Sequence, residues 1–303
     1  MRFGLVGTGP WATMVHGPGL AAARDVELVG VWGRTREKVD TLASTLGVNA
    51  YVDYDALLED VDAVAFAVPP HAQAELALVA ARAGKHLLLE KPVAMTVDDA
   101  CALRDAASSS GVASVVFFTD RFIHESRAWF REVHSSDSWG GGWLRWFSSL
   151  QEEDNPFGSS PWRQQRGALW DVGPHALSTL GAALGPIDSV TAVGGKDDLV
   201  VLVLRHESGA TSTASITAFA PPAAAGFEAA VWGETGLLHM PPRPEDEASA
   251  PYATAVEELV AAVSKGSPHE LDLAFGTHIV ELLADAQAQL DAAHDAPVRH
   301  SEL

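Results

Sequence analysis

Three short stretches carry side chains whose types and spacing suit a shared chemistry. Gly7-x-Gly9-x-x-Ala12 follows a short apolar run, Arg2–Val6, and opens an alanine-rich helical stretch to about Ala23. In that setting the first glycine permits a tight turn and the second lets backbone N–H groups approach a pyrophosphate. The alanine lets helix and strand pack closely, so the stretch reads as a dinucleotide site, with a plain structural turn as the alternative. Thr8, Pro10 and Trp11 share the turn and are placed among the cofactor contacts. Glu90-Lys91-Pro92 ends a strand-like run, His86–Leu89. Lys91 therefore stands at the carboxyl edge of a parallel sheet, where open α/β folds bind ligands, and the proline keeps it out of helical geometry. Asp171 and His175 are four apart in a helical stretch, Gly167–Leu184, hence on one face. An acid that orients a histidine, combined with a lysine, is an acid–base constellation; a capping aspartate beside a core histidine is the alternative. No third ligand stands in register with this pair, so no metal site is expected.

The end of the second strand, Glu27–Trp32, bears on which dinucleotide binds. NAD-preferring sites usually place an acid there for the ribose 2′-hydroxyl, and here the position holds Gly33. Arg34 can offer planar, bidentate donors to a 2′-phosphate, Thr35 adds a hydroxyl and Arg36 further positive charge. Lys38 is grouped with Gly33, Arg34 and Thr35 as a cofactor contact, and NADP(H) is expected over NAD(H). The alternative is that Arg34 and Arg36 are surface residues at a helix start. Val68-Pro69-Pro70-His71 leaves the same sheet edge from the third strand and is expected to line the cofactor crevice, although His71 alone fits a structural role equally well.

These stretches need elements to hold them. Up to about residue 95, strand-like runs alternate with helical ones (Thr35–Leu46, Tyr54–Glu59, Ala72–Ala83), with Val61–Val68 as a buried strand. Such alternation means βαβ units, a doubly wound parallel sheet of Rossmann type. Past about Thr119 the pattern changes. Trp143–Leu150 reads as a strand, and Leu199–His206 with Thr211–Phe219 as an antiparallel hairpin across Glu207-Ser208-Gly209-Ala210. In the second arm Thr211, Thr213, Ser215 and Thr217 alternate with Ser212, Ala214, Ile216 and Ala218, which fits a sheet with one covered and one partly open face. A proline-rich loop is expected over residues 241–247 and two amphipathic helices over Tyr252–Ser264 and Leu273–Ala293. The expected division is a dinucleotide-binding domain, 1–119, and an α+β substrate-binding and oligomerisation domain, 120–303.

Composition narrows the function further. The 303 residues hold 20 Lys and Arg against 40 Asp and Glu, a formal charge of −20, which argues against nucleic acid and against an anionic membrane surface. The only cysteine, Cys101, excludes a disulfide framework or a cysteine-built metal centre. No apolar run approaches the ~20 residues of a bilayer span, and the N-terminus does not read as a signal peptide, so a cytoplasmic protein is expected. Six of the nine tryptophans fall between residues 129 and 170. They suit a core or subunit interface; alternatively Trp162 and Trp170 form an apolar wall for a sugar ring or aromatic substrate.

Taken together these residues resemble the Gfo/Idh/MocA oxidoreductases, which include glucose–fructose oxidoreductase and inositol dehydrogenase. The matching stretches are Gly7-Thr8-Gly9 with Ala12, Val61-Asp62-Ala63-Val64 with Val68-Pro69, and Ala83-Gly84-Lys85-His86 running into Glu90-Lys91-Pro92. Trp162-Arg163 and Asp171-x-Gly173-x-His175 complete the match, which runs in order over almost the whole chain. The resemblance implies a largely antiparallel second sheet, one face of which joins subunits, hence a homodimer or homotetramer. It implies that Lys91 sits beside the nicotinamide and hydrogen-bonds the reacting oxygen. It further implies that His175 exchanges a proton with that oxygen, that Asp171 positions substrate or histidine, and that Trp162 and Arg163 touch substrate. Ser178 stands where family members often carry an aspartate. The implied function is NADP(H)-dependent hydride transfer to or from a sugar, polyol or related small molecule. The alternatives are a dihydrodiol dehydrogenase- or biliverdin reductase-like enzyme, a non-catalytic dinucleotide-binding regulator, and NAD-dependent glycoside hydrolysis.

Overall fold

The computed structural model describes residues 1–136, 138–150, 155, 157–158, 160–243 and 248–295. Positions 244–247 of the expected proline-rich loop lie outside the described residues. Six short apolar runs form strands β1 (Arg2–Val6), β2 (Glu27–Trp32), β3 (Asn49–Tyr51), β4 (Ala63–Phe66), β5 (His86–Glu90) and β6 (Ser114–Phe117). They pair in parallel in the order β3-β2-β1-β4-β5-β6, the doubly wound order of Rossmann folds. All four side chains of β4 are buried, as a central strand with both faces covered requires. Further along the chain lie β7 (Trp139–Phe147), β8 (Ile187–Gly194), β9 (Val200–His206), β10 (Thr211–Thr217), β11 (Gly226–Gly233) and β12 (Gly236–His239).

The helices are α1 (Gly17–Ala22), α2 (Arg36–Leu46), α3 (Tyr54–Asp60), α4 (Pro70–Arg82), α5 (Val97–Ser109), α6 (His124–Val133), α7 (Pro161–Asp171), α8 (Gly173–Leu184), α9 (Ser249–Lys265) and α10 (Leu273–Asp295). Local chemistry sets several of their ends. Asp53 caps α3 by accepting from Asp55 N–H, and Thr96 caps α5 by accepting from Asp99 N–H while its hydroxyl donates to the Asp99 carboxylate. Among the described residues no helix is long and apolar enough to cross a membrane.

The chain divides into two compact units, Met1–Arg131 with Pro241–Val280, and Glu132–Met240 with Glu281–Leu303. In the first, the segment after residue 240 returns to the parallel sheet. The Val116 N–H donates to Leu271 O at 2.7 Å, and α9 packs on β5 and β6. The change of pattern near residue 119 carries no trace of this return, because periodicity records only local neighbours.

In the second unit six strands order as β12-β11-β7-β10-β9-β8, antiparallel except for the parallel pair β7–β10. The predicted hairpin forms, with Thr211 opposite Arg205 and Ile216 opposite Val200. Ser212, Ala214 and Ile216 are buried while Thr211 and Thr213 are exposed, so one face is covered and one open, as the alternation predicts. His206 spans this covered side, contacting Ser212 Oγ and Gly185 O at 2.8 Å, and burial pushes its pKa down.

One predicted element differs. The single helix expected over 167–184 is broken: α7 ends at Asp171 and α8 starts at Gly173. Pro174 lacks an N–H and its ring crowds the carbonyl four residues back, so the helix must restart there. A second interruption lies inside α7, where Gly167 adopts φ 62°, ψ −161°.

The first unit also carries a charge cluster with a readable pH signature. Arg127 of α6 forms a fork to Glu258 of α9, with Nη1–Oε1 2.6 Å and Nη2–Oε2 3.0 Å, and His269 Nε2 lies 3.0 Å from Oε2. Burial works to raise the Glu258 pKa, but the hydrogen bonds and charges of His269 and Arg127 outweigh it and hold the group at about 2, against 4.5 unpaired. The depressed folded-state value means that stability from this group is present above the unfolded pKa and lost as pH falls from there toward 2. Glu258→Gln is therefore expected to lower stability at pH 7 by roughly 1–3 kcal/mol. Urea titrations between neutral and acid pH should show a flatter acid loss in the variant than in the native chain.

Candidate functional site

The predicted glycine turn joins β1 to the first helical segment. Gly7 lies at φ 124°, and a Cβ there would come within 2.3 Å of the Ala67 carbonyl oxygen, so only glycine closes the turn against the end of β4. A Cβ on Gly9 would meet nothing within 4 Å. The turn thus offers bare backbone ahead of a helix, which suits the pyrophosphate of a dinucleotide. Thr8 is half-buried, Pro10 exposed and Ala12 fully buried. Helix formation starts with a wide π turn, Ala12–His16, closed by Gly17 N–H donating to Ala12 O, before α1. Such turns recur at functional sites.

At the end of β5, on the same sheet edge, Glu90 is the centre of a converging set of donors. Trp11 Nε1 donates to Glu90 Oε1 at 2.6 Å, His16 Nε2 lies 2.9 Å from the same oxygen, and Lys91 N–H donates to Oε2 at 3.3 Å. A carboxylate only accepts, so Nε2 of His16 carries the proton that faces it. The backbone on either side is held by Gln73 of α4: its Oε1 accepts from Glu90 N–H at 2.8 Å, and its Nε2 donates to Glu90 O at 2.7 Å and reaches Pro92 O and Val93 O. The half-buried Lys91 is linked to Pro92 by a cis peptide bond. Tyr252 of α9 packs its ring against that of His16, tilted by 34° with centroids 4.0 Å apart. Burial, with the Glu90 charge, pushes its hydroxyl pKa well above the ordinary value, so it stays neutral.

Gly33 follows β2 and packs on Thr8; a Cβ there would lie 3.0 Å from Thr8 Cγ2, so any side chain at this position needs the Thr8 methyl to give by a few tenths of an ångström. Arg34, Thr35 and Lys38 are all exposed, while Arg36 is occupied by Asp40, Nε to Oδ2 2.7 Å. From β4, Val68 and Pro69 are half-buried, Pro70 is buried at the first turn of α4, and His71 is exposed beside it. The first unit therefore brings the glycine turn, the end of β2, the segment after β4 and Glu90-Lys91 to the carboxyl ends of adjacent strands.

Asp171, His175, Trp162 and Arg163 belong to the second unit. Asp171 closes α7, and its Oδ2 accepts from Arg163 Nε at 3.0 Å. The Arg163 guanidinium in turn lies over the rings of Trp162 and Phe157, 4.7 and 5.1 Å from their centroids. His175 is in the first turn of α8, 8% exposed, with the Trp146 ring 5.1 Å away and Phe227 edge-on to Trp146 at 5.5 Å. The aromatic partner of His175 is thus Trp146. Trp170, offered as part of a substrate wall, is core: it is 2% exposed and its indole N–H donates to Gln287 Oε1 at 3.0 Å. Ser178 and Thr179 of α8 are buried, and among the described residues their hydroxyls have no hydrogen-bond partner. Among the described residues no group of His, Cys, Asp or Glu could hold a metal ion.

Sequence reasoning missed His16, Gln73, Tyr252 and Trp146. A faint signal existed for two of them. His16 stands four residues after Ala12, hence on the face that meets the sheet, and Gln73 is a polar residue on the apolar face of α4.

Two family models match the chain. That described as "Oxidoreductase family, NAD-binding Rossmann fold" covers residues 1–118, and the GFO/IDH/MocA C-terminal domain covers residues 141–239. The chain is 30% identical over 225 residues to D-xylose 1-dehydrogenase (NADP(+)) 2 of Haloferax volcanii, covering 70% of this chain and 68% of the relative. It is 37% identical over 128 residues to dTDP-3,4-didehydro-2,6-dideoxy-alpha-D-glucose 3-reductase of Streptomyces violaceoruber, 42% of this chain and 37% of that one. The matched region spans about a third of the length of several such curated relatives. A levoglucosan dehydrogenase solved with NADH and levoglucosan has the same fold, with TM-score 0.84 over 98% of each chain at 18% identity.

The Gln73 amide is the clearest test of how the end of β5 is held. Gln73→Leu leaves Glu90 N–H and the buried carbonyls around the turn without this partner, a loss of roughly 1–3 kcal/mol. Urea denaturation of the two proteins side by side is the measurement.

Proposed function

This chain belongs to the Gfo/Idh/MocA oxidoreductases, and from that membership we propose that it moves a hydride between a nicotinamide cofactor and a hydroxyl-bearing carbon of a sugar or polyol. The observation that carries the reading is the carboxyl edge of the parallel sheet, where the bare Gly7–Gly9 turn leaves β1 and Lys91 leaves β5, the strands on either side of β4. When bound, the nicotinamide supplies the hydride chemistry. The chain supplies binding, orientation and proton handling. Lys91 offers an ammonium that stabilises negative charge on the reacting oxygen, and His175 takes the hydroxyl proton in oxidation and returns it in reduction. Asp171, ion-paired to Arg163, presents a fixed carboxylate two residues ahead of the helix that carries His175.

The preferred cofactor is NADP(H). The support is local: no carboxylate at Gly33, where a Cβ would already press on Thr8, and an exposed Arg34 with no hydrogen-bond or ion-pair partner among the described residues. A guanidinium in that place gains a charged, bidentate pair from a 2′-phosphate and only a single hydrogen bond to a neutral acceptor from a 2′-hydroxyl. The substrate class is proposed from the named activities of the relatives, which act on xylose, levoglucosan and nucleotide-linked sugars. Subunit association is proposed through the open face of the second sheet. Val193, Val203, Trp232 and Leu237, all exposed, share that face, and exposed apolar surface of this kind marks an interaction site.

Three measurements test the proposal. Following NADPH and NADH absorbance with aldoses, ketosugars and polyols should give turnover; nucleotide binding with no turnover on any of them would point to a regulator instead. Lys91→Met and His175→Asn should each lower kcat by about 10²–10⁴-fold with nucleotide affinity little changed. Arg34→Asp should shift the kcat/KM ratio of NADP to NAD toward NAD by roughly 10–100-fold, the worth of one charged hydrogen bond; an unchanged ratio would remove Arg34 from cofactor choice.

A further inference from the structure

The segment that presents Asp171 and His175 starts at an interruption. Gly167 leaves helical geometry at φ 62°, ψ −161°, and a fresh turn begins at Ala168, closed by Val172 N–H donating to Ala168 O at 2.8 Å. A helix that restarts has first-turn N–H groups with no partner in its own chain. Here the Ala168 N–H, on a residue 1% exposed, donates to Asp198 Oδ2 at 3.0 Å. Asp198 comes from the loop between β8 and β9, thirty residues away in sequence. Gly167 leaves room for it, since a Cβ on that residue would lie 3.2 Å from Asp198 Oδ2.

The same carboxylate binds the end of β10. Its Oδ1 accepts from the Thr217 hydroxyl, and both oxygens lie 3.3 Å from Ala218 N–H. One side chain therefore ties a restarted helical turn to the end of a sheet strand. Its backbone is held in the left-handed region, φ 65°, following Asp197 at φ 55°. Two consecutive side-chain-bearing residues in that region cost free energy that the surroundings must offset. The three accepted hydrogen bonds at Asp198 are that compensation, and two of their donors, Ala168 and Ala218, are fully buried. A carboxylate at a helix start also complements the positive end of the helix dipole.

We propose that Asp198 is a positioning residue for the acid–base segment: by capping Ala168 it fixes the turn that ends in Asp171 and leads into His175. The inference rests on the reading of His175 as the proton-exchanging residue. Asp198 touches neither substrate nor cofactor in this account and acts through the backbone of residues 168–172. Its two halves are separable. Asn at 198 keeps an oxygen for Ala168 and turns its amide toward Thr217, whose hydroxyl can accept as well as donate. Thr217→Val removes the hydroxyl bond at the strand end and leaves both the Ala218 N–H contact and the helix cap.

The test compares Asp198→Ala, Asp198→Asn, Thr217→Val and His175→Asn in the full chain, with D-xylose and NADP+ as the probes. Rates are expressed per nucleotide-binding site, so that unfolded protein does not count. Hydrogen–deuterium exchange of the peptide covering 168–176 is read in parallel and needs no substrate. Asp198→Ala should raise exchange in that peptide at least about tenfold and cut kcat per site by a factor of 30 or more, with the NADP+ dissociation constant unchanged. Asp198→Asn should restore most of both. Thr217→Val should lower thermal stability with exchange over 168–176 and kcat per site near native. Native exchange over 168–176 in Asp198→Ala overturns the inference whatever the kinetics. Native turnover per site in Asp198→Ala beside an inactive His175→Asn also overturns it and leaves the reading of the site intact. Native turnover in His175→Asn defeats that reading, and the inference with it.

Discussion

The carboxyl end of β5 is the constraint on which the first unit's site depends. A strand that stops at a sheet edge exposes backbone groups that must find partners, and here they find side chains. Gln73 satisfies the backbone of Glu90 on both sides, while Trp11 and His16 take up its carboxylate. These donors come from the helical segment after β1 and from α4 after β4, the neighbours of β5 in the sheet or one strand beyond. The residue that follows, Lys91, therefore emerges from a frame built by three strand–helix connections. A flexible lysine is useful for chemistry only when its base is fixed in this way.

That arrangement explains why buried polar residues cluster so near the turn. His16 and Gln73 are both fully buried, and each would be costly without its partner. The wide turn at Ala12–His16 lets the helix begin close to the sheet, at Ala12, while still delivering His16 to Glu90. Tyr252, from a segment that returns to this unit late in the chain, closes over the imidazole. The glycine turn and the lysine turn are thus joined by one hydrogen-bonded network centred on the Glu90 carboxylate.

The second unit solves the same problem differently. Asp171 and His175 stand at helix interruptions rather than at strand ends, and the turn that restarts at Ala168 leaves an N–H that the loop between β8 and β9 satisfies. Arg163 holds Asp171, Asp198 holds Ala168, and Trp146 of the sheet supports the His175 ring. Of these supports Trp146 lies on the covered face of the sheet, while the other face carries exposed valine, tryptophan and leucine side chains.

The local signals were legible in the chain alone. Gly7 and Gly9 before a helix, Glu90-Lys91-Pro92 at a strand end, and the alternation along Thr211–Thr217 each depend on residues a few positions apart, whose geometry the backbone dictates. The parallel character of the first sheet and the open face of the second follow from such periodicities. The helix interruption at Pro174 belongs to the same class and was readable in principle, since a proline's missing N–H is a property of the residue itself. The partners were not legible. That His16 meets Glu90 across 74 residues and that Asp198 reaches back 30 residues to a helix start are set by how strands line up and loops return, while Asp171 meets Arg163 within α7 across the break at Gly167. A buried hydrogen bond joins whichever donors and acceptors the packing brings within about 3 Å, and spacing along the chain holds no record of that choice.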